Sequence, residues 1–285
     1  MNSDNLRLED WVGSRESAVD IVTPAKVEAM AATLDRDDPP PREGDPLPPL
    51  WHWMFHAPIA RHSGLGPDGH PARGGFMPPV PLPRRMFAGG RMTFLRPIGV
   101  GETITRDGEV MSVTPKMGRT GALVFVTVRY VISTEAGPAI EEEQDIVYRE
   151  DQSAAAATIP EPADIADAPW RRAIAPDAVM LFRYSALTFN GHRIHYDYPY
   201  VTEVERYPGL VVHGPLIATC LAELCRDQSG RALATFAFRA RSPIFTPSPF
   251  TVAGGPDAAG GGCAVVAVGP GGEVSMTASA SFEAS

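Results

Sequence analysis

Residues 213–225 read His-Gly-Pro-Leu-Ile-Ala-Thr-Cys-Leu-Ala-Glu-Leu-Cys, and they predict the more apolar of two helices in this 285-residue chain. Pro215 suits the first turn of a helix, where the backbone N–H groups have no intrahelical acceptors. The apolar residues recur at helical spacing, and a helix with such a face must be buried to be stable. We therefore expect a sheet that curves around it. The face consists of Leu216, Ile217, Cys220, Leu221 and Leu224.

Strand-like segments separated by turns follow each of the two predicted helices. The first helix spans residues 23–34, with Thr23 as its N-cap and Pro24 in its first turn. Residues 64–83 are rich in glycine and proline and predict a long loop. Each half of the chain therefore predicts a helix followed by an antiparallel meander. The predicted strands are 91–96, 102–113, 121–132 and 144–149 in the first half, and 231–241, 250–253, 263–269 and 274–283 in the second.

Two such units would each leave a sheet edge exposed, so we expect them to pair edge to edge into one continuous sheet. The predicted fold class is α+β, with two curved antiparallel sheets joined into one and each wrapped on a helix. An all-β sandwich with peripheral helices is the alternative. We predict one unit at 1–150, a linker at 151–169 whose composition offers little to bury, and a second unit at 170–285.

Composition limits the classes of function. With 34 acidic against 25 basic residues the net charge is −9, which argues against a nucleic-acid-binding surface but leaves room for a local basic patch around one phosphorylated ligand. The three cysteines, Cys220, Cys225 and Cys263, predict reduced thiols rather than disulfides. The N-terminus has no apolar signal-like segment, and no apolar run reaches the roughly 18–20 residues that a membrane helix needs. We expect a soluble, cytoplasmic protein with no membrane partner.

The densest group of polar residues lies in the segment 181–197, which reads Leu-Phe-Arg-Tyr-Ser-Ala-Leu-Thr-Phe-Asn-Gly-His-Arg-Ile-His-Tyr-Asp. Its first part, Leu181–Thr188, is strand-like. His192 and His195 are the leading candidates for a general base, because a neutral imidazole accepts a proton near pH 7. Asn190 could orient a water or hold a carbonyl, but an amide cannot accept and release a proton. An irregular turn with structural hydrogen bonds is the alternative interpretation.

A second segment, Gly209-Leu-Val-Val-His-Gly-Pro-Leu216, complements the first. A helix that begins at Gly214 exposes backbone N–H groups and the positive end of its dipole. Such an N–H stabilises the oxygen of a carbonyl that becomes an enolate. We choose Gly214 as this donor, although a helix start without catalytic meaning fits the segment read alone.

Together the two segments resemble the active-site segment and helix start of the MaoC-like hot-dog hydratases and dehydratases. The chain as a whole is similar to the mesaconyl-C4-CoA (3-methylfumaryl-CoA) and itaconyl-CoA hydratases and to the type 2 hydroxyacyl-thioester dehydratases. The resemblance covers roughly residues 20 to 283, and Phe-Asn-x-His-Arg-Ile-His-Tyr at 189–196 is its most specific part. Supporting stretches are 48–54, 74–86, 88–91 and 142–148.

The resemblance implies a double hot-dog fold and reversible addition of water to the α,β double bond of an acyl-CoA or acyl-carrier-protein thioester. It places His195 at the position of the family's catalytic histidine and Gly214 at that of its backbone oxyanion donor. Asn190 stands where the wider superfamily has a catalytic aspartate, so we expect a histidine-centred mechanism in which Asn190 positions the water. Asp197 and the acidic run 141–145 are candidate second proton carriers.

We expect a branched C5 dicarboxylyl-CoA substrate, whose carboxylate and CoA phosphates would need guanidinium partners. The candidate substrate-binding residues are His192, Arg193, Arg183, Tyr196, His213, Arg84 and Arg85. The alternatives are a dehydratase of fatty-acid or polyketide type, a hot-dog thioesterase and a non-catalytic acyl-CoA-binding protein. We predict no metal, since His52-x-x-x-His56 lacks a fixed carboxylate, and no cofactor beyond the CoA of the substrate. A homo-oligomer is left open.

Overall fold

The computed structural model describes residues 7–118, 121–150, 162–258 and 260–283. Within these ranges the chain forms ten β-strands and three α-helices. The strands are β1 (Arg15–Ile21), β2 (Arg84–Phe94), β3 (Thr103–Gly118), β4 (Gly121–Thr134), β5 (Gly137–Arg149), β6 (Trp170–Ile174), β7 (Leu233–Ala240), β8 (Phe250–Pro256), β9 (Gly262–Val268) and β10 (Val274–Phe282), and the helices are α1 (Pro24–Thr33), α2 (Ala178–Thr188) and α3 (Gly214–Ser229). In the described part of the chain, no helix is long and apolar enough to cross a membrane.

All ten strands belong to one antiparallel sheet, in the order β1-β3-β4-β5-β2-β7-β10-β9-β8-β6. The prediction that two units pair edge to edge is confirmed, because β2 pairs with β7 from Gly89 opposite Arg239 to Thr93 opposite Thr235. Each half contributes five strands. Counted from the outer edge of the sheet towards this junction, the strands of each half follow the same order: first, third, fourth, fifth and second along the chain. The meander prediction is therefore corrected, because the second strand of each half lies beside the fifth rather than beside the third.

The helix α3 is buried, as its sequence predicts. Every residue from Leu216 to Cys225 is buried, and the helix packs against β6, β7, β8, β9 and β10. Burial of each leucine side chain contributes roughly 1.5–3 kcal/mol. The one acidic residue in this buried stretch, Glu223, forms ion pairs with Arg36 and Arg226, which offset part of the cost of burying its charge; burial still raises its pKa.

The core of the first half of the chain is built from different elements. The helix α1 buries only Val27, Met30 and Thr33, and it packs against α2 and the 3-10 turn Trp51–Met54. That turn contributes two buried side chains, Trp51 and Met54, to the same hydrophobic core as α3. The domain boundaries at 1–150, 151–169 and 170–285 stay a prediction, and residues 151–161 of the linker lie outside the described residues.

Three elements differ from the prediction. Leu181–Thr188 is not a strand but the last two turns of α2, which begins where the Asp177 carboxylate accepts the Met180 N–H at 2.7 Å. Leu181, Tyr184 and Ser185 form its buried face at helical spacing, a signal that the aromatic and apolar content had masked. The strands β1 and β6 were not predicted; they form the two edges of the sheet, where one side of each has no neighbouring strand among the described residues.

Candidate active site

His195 is held with one ring nitrogen free to accept a proton. It ends the 3-10 turn Arg193–His195, and its Nδ1 lies 2.7 Å from the carbonyl oxygen of Val211. Because a carbonyl can only accept, Nδ1 carries the hydrogen and Nε2 of the neutral ring carries a lone pair. Burial, followed by the charge of His192, lowers the pKa of His195 to about 3. The ring is therefore neutral near pH 7 and in the form that a general base requires.

The ring of His213 stacks on His195 and connects it to the start of α3. The two ring centroids are 3.6 Å apart with an angle of 17° between the planes. His213 also contacts α2, because the Ser185 hydroxyl lies 2.8 Å from His213 Nε2. His213 is fully buried, and burial holds its pKa well below the usual range. The stack thus fixes the orientation of His195 from one side while the Val211 carbonyl fixes it from the other.

Gly214 follows His213 directly and is the first residue of α3. Its N–H has no intrahelical acceptor, and none of the backbone hydrogen bonds among the described residues uses it as a donor. The backbone leaves space here, because a Cβ on Gly214 would meet nothing closer than the Phe87 carbonyl oxygen at 3.9 Å. The structure therefore brings a free backbone donor to the helix end next to the His195–His213 stack.

Asn190 and His192 form the turn that leads to His195. The Asn190 Oδ1 accepts the backbone N–H of His192 at 3.0 Å, so its amide nitrogen is the atom left for another partner. The His192 ring meets the His195 ring edge-on, with centroids 5.5 Å apart. Burial, followed by the charge of His70, lowers the pKa of His192 to about 3.

Two residues of the Gly/Pro-rich loop enter the site without having been assigned to it from the sequence. The rings of His70 and His192 lie 4.2 Å apart, and His70 Nδ1 is 3.1 Å from Asp68 Oδ2. The pKa of Asp68 is held well below its usual range by the hydrogen bond and the charge of His70, against the opposing effect of burial. The Asp-x-His spacing in a proline-rich loop was the available signal.

The ligand atoms of Asp68, His70 and His192 lie within 4.8 Å of one another, and among the described residues they are the one such group that a cation could bridge. Asp68 and His70 already satisfy each other by hydrogen bonding, so we assign no metal to them. The two histidines of the His52-x-x-x-His56 pattern have separate partners. His52 Nε2 lies 3.1 Å from Glu142, and His56 Nε2 donates to the carbonyl of Ile104.

The candidate arginines have different partners. Arg84 forms an ion pair with Glu205 and lies over the Tyr207 ring, with its guanidinium 5.2 Å from the centroid. Arg183 is exposed on α2. Arg85 is half-buried and forms no ion pair with any described residue, and its charge contributes to the lowered pKa of His192.

Arg193 and Asp197 form an ion pair with each other. The guanidinium donates to Asp197 Oδ2 at 2.9 and 2.7 Å and lies 4.1 Å from the centroid of the Tyr200 ring. The hydrogen bond from Arg193, then the one from the Tyr200 N–H, lowers the pKa of Asp197. The Tyr196 hydroxyl donates to the carbonyl of Gly191 at 3.0 Å, so it also supports the turn.

The acidic run 141–145 lies on β5 and has partners of its own. Glu142 is buried and contacts His52 and the indole N–H of Trp53, which donates at 2.9 Å. Asp145 accepts hydrogen bonds from Arg91 and from the hydroxyl of Thr127.

The geometry of the site suits one kind of chemistry. A neutral histidine base lies near a free backbone N–H at a helix start, an arrangement suited to proton transfer beside a polarised carbonyl.

Comparison with known proteins agrees with this geometry. The sequence profile of the hydroxyacyl-thioester dehydratase type 2 family matches residues 50–246. The mesaconyl-C(4)-CoA hydratase of Chloroflexus aurantiacus is 46% identical over 272 residues, which are 94% of this chain and 95% of that protein. The mitochondrial hydroxyacyl-thioester dehydratase type 2 of Schizosaccharomyces pombe is 28% identical over 233 residues, covering 72% of this chain and 77% of that protein.

Solved structures agree on the fold. The MaoC-like dehydratase of Phytophthora capsici superposes with a TM-score of 0.69 at 15% identity, covering all of both chains. HtdX of Mycobacterium tuberculosis superposes with a TM-score of 0.67 at 17% identity, covering 94% of this chain and 99% of that one. At these identities the likeness shows the fold alone, and it confirms the double hot-dog arrangement.

Proposed function

The chain belongs to the hydroxyacyl-thioester dehydratase type 2 family, and we propose that it adds water reversibly to the α,β double bond of a branched C5 dicarboxylyl-CoA. The observation that carries this proposal is the 46% identity to a mesaconyl-C(4)-CoA hydratase across nearly the whole of both chains. The protein is thus a hydro-lyase acting on an acyl-CoA thioester. Mesaconyl-C4-CoA, hydrated to citramalyl-CoA, is the favoured substrate, and itaconyl-CoA is the second.

The proposed chemistry uses the two groups that the fold brings together. The Gly214 N–H binds the thioester carbonyl and makes the β-carbon electrophilic. His195 Nε2 takes a proton from a water held by the amide of Asn190, and the hydroxide adds to the β-carbon. Negative charge then develops on the thioester oxygen, and Gly214 at the positive end of the α3 dipole stabilises it.

Arg85 is the arginine that we propose for the free carboxylate of the substrate. Among the four arginine candidates, Arg84 and Arg193 are engaged by Glu205 and Asp197, and Arg183 lies exposed on α2. A guanidinium that is half-buried, lowers the pKa of His192 by its charge and has no ion-pair partner among the described residues is suited to a carboxylate ligand.

Replacing Arg85 with methionine tests this assignment. A charged hydrogen bond is worth roughly 1.5–3 kcal/mol, so we expect KM for mesaconyl-C4-CoA to rise roughly 10- to 150-fold. Kinetics with crotonyl-CoA, which lacks the second carboxylate, should change little. Arg91→Met is the matched control, because Arg91 on the same strand is bound by Glu143 and Asp145. An equal effect of Arg85→Met on both substrates would remove Arg85 from the carboxylate site.

A panel of thioesters tests the function as a whole. We expect the purified protein to hydrate mesaconyl-C4-CoA or itaconyl-CoA, with a gain of one water measured by mass spectrometry and no release of free CoA. The second candidate function, a 3-hydroxyacyl-thioester dehydratase of fatty-acid or polyketide type, is favoured by the Schizosaccharomyces pombe relative. It predicts faster turnover of unbranched 3-hydroxyacyl thioesters. Free thiol without hydration would indicate a thioesterase, and saturable binding without turnover a non-catalytic protein.

A further inference from the structure

Hydration requires two proton transfers, and the proposed mechanism accounts for one of them. His195 removes a proton from water, and a proton must also reach the α-carbon of the enolate. Asn190 cannot supply it, because a side-chain amide neither accepts nor releases a proton near neutral pH. Asp197 does not offer a proton, because two hydrogen bonds from Arg193 stabilise its charged form. Either His195 returns the water proton to the α-carbon itself, or a second carrier comes from another part of the chain.

We propose that His70, oriented by Asp68, is the group that delivers the proton to the α-carbon. This proposal rests on the proposed hydratase function and deepens it. Of the four histidines that meet in the site, His70 is the one with a carboxylate partner within hydrogen-bond distance. Asp68 accepts from Nδ1, so Nε2 is the nitrogen that exchanges protons, and the carboxylate offsets the positive charge of the doubly protonated ring.

The loop that carries His70 is fixed onto the catalytic segment by several independent contacts. The Arg193 N–H donates to the Asp68 carbonyl at 2.9 Å, and the Arg193 guanidinium donates to the Pro67 carbonyl at 3.0 Å. Gly69 has a φ of +87° and lies so close to Gly191 that a Cβ would overlap the Gly191 carbonyl oxygen. A glycine is therefore needed at this crossing, and it holds the loop against the turn that leads to His195.

The orientation of the Asp68–His70 pair is also fixed within the loop. Asp68 Oδ1 accepts the backbone N–H of His70 at 3.1 Å, while Oδ2 accepts from the ring. The carbonyl of His70 accepts the Gly66 N–H at 2.7 Å, which closes the loop behind it. Both side chains of the pair are about one-fifth to one-quarter exposed, at 21% and 24%, so the ring is accessible to substrate while its partner remains in place.

The proton balance closes over one turnover. His195 Nε2 gains the proton of the water, and hydroxide forms the new C–O bond at the β-carbon. His70 Nε2 loses a proton, which forms the new C–H bond at the α-carbon and discharges the enolate. The excess proton on His195 then returns to His70. The ring of His192 neighbours both, with its centroid 5.5 Å from that of His195 and 4.2 Å from that of His70, and in this proposal it relays the proton.

The test compares His70→Asn, His70→Gly and Asp68→Asn with the wild type in the reverse reaction, the dehydration of citramalyl-CoA. We expect His70→Asn to lower kcat roughly 10²- to 10⁴-fold with little change in KM. The primary isotope effect with α-deuterated substrate should rise, because C–H cleavage becomes rate-limiting. Free imidazole should restore part of the activity of His70→Gly. Asp68→Asn should give a smaller loss with the same rise in isotope effect.

His62→Asn is the matched control, because His62 is exposed in the short turn that leads into the same loop, and this variant should retain wild-type kinetics. A His70→Asn enzyme within threefold of the wild-type rate would overturn the proposal. A loss without imidazole rescue and with an unchanged isotope effect would also overturn it, since this is the pattern of a purely structural residue. Wild-type activity that is abolished by a chelator and restored by Zn²⁺ would replace it with a metal site. If the wild type turns over no thioester of the panel, the proposed function itself fails, which distinguishes the two results.

Discussion

His195→Ala is expected to lose nearly all turnover, with kcat falling roughly 10²- to 10⁴-fold, while mesaconyl-C4-CoA still binds. The reason is geometric: the Val211 carbonyl fixes the hydrogen on Nδ1, so Nε2 is the base, and alanine removes it. Stopped-flow or steady-state kinetics would measure kcat, and isothermal titration calorimetry would measure substrate binding separately.

His195→Gln is the companion variant, because alanine leaves a gap beside the stacked ring of His213. Glutamine fills most of that volume and can donate to the Val211 carbonyl, but its amide cannot act as a base. Both variants should therefore be folded, with thermal unfolding close to that of the wild type for glutamine, and both should be inactive. Turnover within tenfold of the wild type in either folded variant would contradict the assignment of His195 as the base.

Gly214→Pro is expected to lower kcat roughly 10²- to 10³-fold, because it deletes the backbone N–H that we assign to the thioester oxygen. We expect the helix to accept this proline, because Gly214 is the first residue of α3, where proline is compatible with a helix. The preceding residue, His213, already has φ −59° and ψ 129°, the extended conformation that a following proline favours.

Gly214→Ala is the matched control for this substitution. It keeps the N–H, and its Cβ would lie 3.9 Å from the Phe87 carbonyl oxygen, an ordinary contact distance. Alanine should therefore retain most of the activity that proline removes, with kcat measured under saturating substrate. Equal rates for the two variants would mean that the N–H of Gly214 does not stabilise the transition state.

The parts of the fold that could be predicted from the sequence are those that depend on patterns among neighbouring residues. The apolar face of α3 and the β-branched strands have a period that can be read from the sequence, and the structure confirms both. The helix α2 shows the limit: Leu181, Tyr184 and Ser185 have helical spacing, but Asp177 as its N-cap was overlooked. The edge strands β1 and β6 were missed because partly exposed strands carry a weaker apolar signal.

In the candidate site, the sequence suggested His195, Asn190 and Gly214, because they lie in two short motifs that resemble those of the MaoC-like family. Their roles stay predictions that the variants above test. Asp68 and His70 could not be placed in that way, since more than a hundred residues separate them from His195. In the described part of the structure, the close crossing of Gly69 and Gly191 and the hydrogen bonds of Arg193 bring them together. Motifs are local in sequence, whereas a contact between distant loops depends on how the whole sheet folds.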